Sequence, residues 1–417
     1  MTKIKYYSVM IWLIGTLFYS YEMLIKSSIS AMSDILLHNY GLTAIQLSAL
    51  GSSFYMVYVV LMIPAAILVD KLGVRKALIT ASFIAALGTM LYAFGSSFTG
   101  FAIARVVMGV GGSFAFVSAL KLASQWLPAR VFPLFAGFTQ FIGYLGGVMS
   151  GAPLSIMVEH GNWHIIFIGI SIIGFILTAL ILLFVKDNTT LKNLDNTSIS
   201  FIEILKQIGT LLKKPQIFLN GLFCLFSMGV VFAITDIWGK IYLMNAQGLS
   251  ETAAATAANS MVFLGVAITS PLWGAAATAL SNNKRLIVFG GLLGTVSTTL
   301  LFYGGSNLFM LYVAGFCIGM AMASHVLNFD IVKNLVHPKI VATGMALLNM
   351  CGMLGATLLQ LLSGASIHYF STSSQYDPSH LKKGLAIIPI CFLIAFIISL
   401  FIVDKPKQDI HFESIRA

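Results

Sequence analysis

Glu22 and Lys26 stand four residues apart in an otherwise apolar stretch, with Tyr19 on the same helical face. A carboxylate and an ammonium so placed can exchange a proton or grip a charged ligand. Each is costly in apolar surroundings unless paired or wetted. Arg105, Asp236 and Asp330 interrupt further apolar runs, and Lys121 lies near the end of one. At ~1.5 Å per residue, Glu22 sits ~21 Å from the start of its run and Arg105 ~8 Å from the far edge of its own. The two therefore reach similar depth, and an ion pair between them is expected. Tyr55 and Tyr58 share one face of the second run, Gln140 and Tyr144 lie in the fifth, and Asn259, His325 and Asn349 fall in later ones. Such groups suit reversible binding more than bond-making. No Ser or Cys stands beside a placed base, and His160, His164 and His337 fall at loop edges, so an enzyme is not expected. No Gly-x-x-x-x-Gly-Lys-Ser/Thr loop is present to hold a nucleotide. Cys224, Cys317, Cys351 and Cys391 have no paired spacing, so neither a disulfide frame, a metal nor another cofactor is expected.

The elements that must hold these residues are membrane spans. Of 417 residues, 58% are hydrophobic and only 9% charged, with a mean hydropathy of +0.92. A soluble domain would carry about a quarter charged residues. Twelve apolar runs are long enough to cross a bilayer: 8–31, 45–69, 77–95, 100–122, 134–157, 164–185, 216–243, 252–278, 286–303, 307–331, 342–367 and 383–403. The predicted fold is an all-α membrane protein of two six-helix halves. Residues 1–185 form the first half, 186–215 a cytoplasmic linker, 216–403 the second half and 404–417 a tail. Lys3 and Lys5 precede the first run as they would a secretion signal. Glu22 and Lys26 interrupt its core and eleven more runs come after it, which makes it a retained helix. Of the 24 Lys and Arg, Lys26, Arg105 and Lys240 lie within runs and Lys382 and Lys383 in a loop on the far side. The rest fall in the termini and in the loops of one side, which the positive-inside rule assigns to the cytoplasm. That distribution accounts for the net charge of +10 without a nucleic-acid partner. In the linker, Ile202, Leu205, Ile208 and Leu212 recur at helical spacing, as in a helix lying on a lipid surface.

The connection between the second and third runs carries a signature. Asp70-Lys71-Leu72-Gly73-Val74-Arg75-Lys76 packs one acid and three bases around a glycine free to reverse the chain. A shift of about 208 residues lays Asp70 on Thr278 and Gln140 on Asn349, so the halves look like copies, the second having lost the acid. Arg105-x-x-x-Gly109 lies in the fourth run, and Gly137, Gly143, Gly147, Gly151 and Pro153 in the fifth. Loop, arginine and glycine ridge together resemble the major facilitator superfamily, although Ala66 stands where the family prefers Gly and Ala152 separates Gly151 from Pro153. The resemblance implies a secondary transporter whose two halves rock about a central site, in a bacterial inner membrane with both termini cytoplasmic, working as a monomer on a small-molecule substrate.

Within that family, Tyr21-Glu22 through Lys26, Ser52-Ser53-Phe54-Tyr55, Pro64 and Asn349 are similar to uptake permeases of the organic-anion type and to phagosomal amino-acid and nucleoside carriers. Asp70 is expected to hold the cytoplasmic side shut, with Gly73, Arg75 and Lys76, by reaching the start of the eleventh helix near Ala342 to Gly344. Lys121 and Asp330, at matching places in the two repeats, are expected to meet as a gate. Glu22 and Arg105 are assigned proton coupling. The cavity is expected to be lined by Tyr19, Lys26, Tyr55, Tyr58, Gln140, Tyr144, Asp236, Asn259, His325 and Asn349. One base, Lys26, and one acid, Asp236, across the repeat axis favour an amino acid or similar zwitterion. Proton-coupled export of a drug or siderophore, and import of an organic anion or nucleoside, stay open.

Overall fold

The computed structural model describes residues 6–128, 130–187, 201–280, 282–337, 340–370 and 377–404. Lys3, Lys5, the 188–200 part of the linker and the tail beyond 404 lie outside the described residues. Twelve helical spans succeed one another: 1, Tyr6–His38; 2, Ala44–Leu72; 3, Val74–Ala93; 4, Phe98–Trp126; 5, Leu134–His160; 6, Trp163–Phe184; 7, Pro215–Gln247; 8, Glu251–Leu280; 9, Asn283–Tyr303; 10, Leu308–Leu335; 11, Val341–Phe370; 12, Pro378–Phe401. They fall six and six about a linker helix, Phe201–Leu212, whose apolar residues are largely exposed. Several spans outrun the apolar stretches that announced them. Span 1 continues past Lys26 to His38, and span 2 continues through Pro64 to Leu72. Both prolong helices whose polar ends lie beyond the apolar core, where hydropathy fades but backbone bonding does not.

Short connections make consecutive spans antiparallel neighbours. Between spans 2 and 3 a single residue, Gly73, turns the chain at φ 89°, a left-handed conformation that a side chain disfavours. A Cβ there would also strike Asp187, whose carboxylate accepts the N–H of Arg75 at 3.0 Å. At the other end, Thr43 and Gln46 form a reciprocal capping box at the start of span 2. The spans define two ends of the molecule. Lys71, Arg75, Lys76, Lys186, Lys284 and Arg285 mark the basic end; Lys382 and Lys383 lie at the opposite one.

The glycines of span 5 let backbones touch. A Cβ on Gly146 would fall 1.8 Å from the backbone oxygen of Ser20 in span 1, while one on Gly147 would meet the Phe263 ring of span 8 at 2.8 Å. Span 5 is thus wedged between its own half and the other, as small residues allow where lipid gives helices no hydrophobic drive to associate. The span breaks at Gly151 into Phe132–Ser150 and Ala152–His160. Spans 7 and 8 each carry a π-helical turn, Ile234–Trp238 and Thr256–Ser260, and the two turns pack together. Overpacking at Gly146 has a measurable consequence. Gly146→Ala should lose about 1–3 kcal/mol of stability in a detergent melt. Gly137→Ala, where a Cβ meets nothing within 4 Å, should melt at or slightly above wild type.

Candidate functional site

Between the halves lies a cavity of about 1690 Å³. Asp70, Lys71 and Lys121 of the first half, Asp187, Ile204 of the linker helix and Thr343 of span 11 form its mouth. Among the described residues none from the opposite ends of the spans lines it, and its mouth lies at the basic end. The inner walls are aromatic and sulfur-rich, with Phe116, Phe141, Met228 and Met353 beside the expected Tyr19, Tyr58, Gln140, Tyr144, His325 and Asn349. Tyr19 donates its hydroxyl to Gln140 Oε1 at 3.1 Å. His325 Nδ1 lies 2.8 Å from the Met322 carbonyl oxygen, which makes that nitrogen the donor. Lys26 is on the wall too, ~30 Å along span 1 from Tyr6.

Lys26 Nζ lies 3.4 Å from Glu22 Oε1, with 1% and 0% of the two side chains exposed. The ammonium is held 5.1 Å from the ring centre of Phe232 and 5.9 Å from that of Tyr55, where aromatic faces favour a cation. Among the described residues neither Glu22 oxygen receives a hydrogen bond of ordinary geometry. The expected Glu22–Arg105 pair is not formed. Arg105 spends its guanidinium on backbone carbonyls: Nε on Leu50 at 3.2 Å, Nη1 on Ile25 and Lys26 at 3.0 and 2.9 Å, and Nη2 on Gly51 at 3.3 Å. Depth alone suggested the pair, but Lys26 is one helical turn from Glu22 and wins it, while a planar fork of donors suits carbonyls on two helices.

Asp236, expected on the cavity wall, is elsewhere. It is fully buried in the π-helical turn of span 7 and accepts bonds from Ser27 Oγ (2.7 Å), Tyr55 OH (2.6 Å), Gln360 Nε2 (3.0 Å) and Thr235 Oγ1 (3.2 Å). Ser27 and Tyr55 belong to the other half, so the carboxylate clasps the halves together. Tyr55 is consequently off the wall as well. So is Asn259, which donates to the Thr235 carbonyl at 2.8 Å. Ser27 and Gln360 went unnoticed in the sequence; a serine carries no signal there, but a glutamine in mid-span does.

At the mouth, Asp70 pairs with Lys121 at 3.0 Å, within one half. It does not reach the start of span 11, because the open mouth lies between. For the same reason Lys121 and Asp330 stand unjoined, Asp330 accepting instead from Asn283 Nδ2 at 3.0 Å. Arg75 caps the Leu182 carbonyl at 2.8 Å, and Lys76 is exposed outside the mouth. Asp70, Gly73 and Lys121 line the cavity; Arg75, Lys76 and Asp330 do not.

The opposite end is shut by contacts between halves. Lys240, buried in span 7, pairs with Glu251 of span 8 and donates to the Ser30 carbonyl of span 1 at 3.2 Å.

Two halves of six spans, a cleft between them open at one end and a buried clasp at the other now stand together. The sequence profile of the Major Facilitator Superfamily matches residues 11–263 and 242–417. The chain belongs to that superfamily. The chain is 28% identical over 163 residues to the "Probable sulfoacetate transporter SauU" of Cupriavidus necator, covering 39% of this chain and 38% of that one. It is 25% identical over 229 residues to the hexuronate transporter of Bacillus subtilis, 54% of each chain. A protein named for multidrug resistance, MdtD of Citrobacter koseri, matches at 31% over 132 residues, 31% of this chain and 28% of that one. The matched stretches thus span about half or less of these relatives. In structure, the superfamily fold is matched by a bacterial homologue of the human lysosomal transporter Spinster. The inward-facing, unoccupied form has TM-score 0.74 at 16% identity over 95% of this chain and 96% of that one. The inward-facing, occupied form has TM-score 0.76 at 15% identity over 95% and 97%.

The pair of buried Lys240 with partly exposed Glu251 gives a test of how the shut end is held. Removing one partner leaves an uncompensated charge. Glu251→Leu alone strands the fully buried Lys240 and should cost about 3–5 kcal/mol in a melt, and adding Lys240→Met should recover most of it. A double variant as unstable as the single one would show that the pair is not the cause.

Proposed function

We propose that the protein is a proton-coupled importer of a small organic anion, with Lys26 as the anchor for its carboxylate or sulfonate and Glu22 as the proton carrier. The observation that carries this reading is the Glu22–Lys26 pair at 3.4 Å, with Lys26 on the deep wall of the cavity and Glu22 buried behind it. While Glu22 is ionised, it neutralises Lys26 and no net charge faces the cavity. A proton taken by Glu22 sets the ammonium free, and an anion can then bind beside it at little electrostatic cost. Proton and anion enter and leave together because the same cation answers to both. The names of two relatives, for sulfoacetate and hexuronate, are those of organic acids and point the same way.

A zwitterion fits less well. Its ammonium was to meet Asp236, and that carboxylate accepts four hydrogen bonds away from the wall. We assign both termini and the basic end to the cytoplasm of a bacterial cell, by the distribution of Lys and Arg. The mouth then faces inward in the conformation described. Asp70 and Lys121 remain our candidates for the moving contacts of that mouth, and a monomer suffices because cavity and clasp both lie within one chain.

Reconstituted protein offered sulfoacetate, a hexuronate and neutral amino acids, with and without an inward proton gradient, tests this. Acids should accumulate against their gradient and amino acids should not. Lys26→Met should weaken acid binding at least about tenfold, the scale of one lost charge-assisted bond. Glu22→Gln should abolish the response to the proton gradient yet retain exchange of substrate for substrate. Accumulation by Glu22→Gln that still tracks the gradient would refute the coupling.

A further inference from the structure

Span 5 is broken where Gly151 and Pro153 interrupt it, and the break is filled from the other half. In an unbroken helix the carbonyl of Val148 would accept the N–H of Ala152. Here the hydroxyl of Ser260 stands between them. It accepts from Ala152 N at 2.9 Å and donates to Val148 O at 3.1 Å. The hydroxyl thus takes both sides of a ladder bond that the helix has lost. The room for it comes from Gly151, where a Cβ would fall 2.4 Å from Ser260 Oγ and 2.4 Å from Asn259 Oδ1. Ser260 is itself fixed, since it ends the π-helical turn Thr256–Ser260 and its neighbour Asn259 ties that turn to the Thr235 carbonyl of the other π-helical turn.

We propose that Ser260 is a positioning residue for transport: its hydroxyl completes span 5 only while the end opposite the cavity mouth is closed. The contact lies ~13 Å into span 8 from Glu251, toward the shut end, and joins the two halves there. Opening that end withdraws the hydroxyl and leaves the Ala152 N–H bare, while the Val148 carbonyl keeps only the Gly151 N–H at 3.2 Å; water must then satisfy the bare donor. The hydroxyl therefore weights the balance toward the conformation with its mouth at the basic end. It touches neither the cavity nor Lys26, and the inference holds whatever the substrate.

The test uses purified full-length protein carrying Gly137→Cys, a cavity-wall position where a Cβ meets nothing within 4 Å. The initial rate of labelling by a charged maleimide, above the background of the native cysteines, reports how often the mouth is open. Ser260→Ala should shift the balance by about tenfold toward the closed mouth, as expected for two lost hydrogen bonds partly replaced by water. The labelling rate should fall by about half or more. Ser260→Thr, which keeps the hydroxyl, should label as the parent does. Ser260→Val, which has the shape of the threonine without its hydroxyl, should lower labelling in the same sense as Ser260→Ala. It also decides the matter should Ser260→Ala fail to fold. Parental labelling by Ser260→Ala, or an equal fall in Ser260→Thr, would overturn the proposal.

Discussion

An ionised group inside a membrane span must find its partner within the protein, and this constraint shapes both halves. Arg105 is the plainest case. Its guanidinium draws together carbonyls of spans 1 and 2, and spans 1, 2 and 4 are thereby fixed about one point. The cation it supplies without an acid lies beside Lys26, which does have one. Satisfying Arg105 with backbone leaves Glu22 to Lys26, and that division creates the buried pair on which the proposed coupling rests.

The second half meets the same constraint differently. Asp236 has no direct ion pair; hydroxyls and an amide from both halves surround it. Lys240 takes Glu251 from its own half and a carbonyl from the other. Ser27, Tyr55, Ser30 and the broken turn of span 5 are all engaged on the side away from the cavity mouth. The mouth itself carries Asp70–Lys121, an exposed pair within one half that screening by salt makes weak. The halves are therefore bonded at one end and merely adjacent at the other, which is what a molecule resting open at one side requires.

Spans, their number, their ends of unlike charge and the superfamily could be read from the sequence, because hydropathy and the Asp70–Lys76 loop are local signals. The inner wall was partly legible: Tyr19, Lys26, Tyr58, Gln140, Tyr144, His325 and Asn349 line the cavity. Arg105 misled because depth in a span says nothing about azimuth, and a neighbour one turn away outcompetes one on another helix. Asp236 misled because a π-helical turn changes the direction in which its side chains point, and no residue type announces such a turn. Ser260 was invisible for a simpler reason: a hydroxyl in a span ordinarily bonds its own helix, and only the three-dimensional meeting with Val148 and Ala152 gives it another task.

The spacing of Glu22 and Lys26 also bears on descent. On the reading proposed above, anchor and counter-charge occupy one turn of one helix but are separate side chains, so loss of Glu22 removes the drive while Lys26 stays in place. A shift from driven uptake to passive exchange would then arrive abruptly, in one mutational step, with the cargo unchanged.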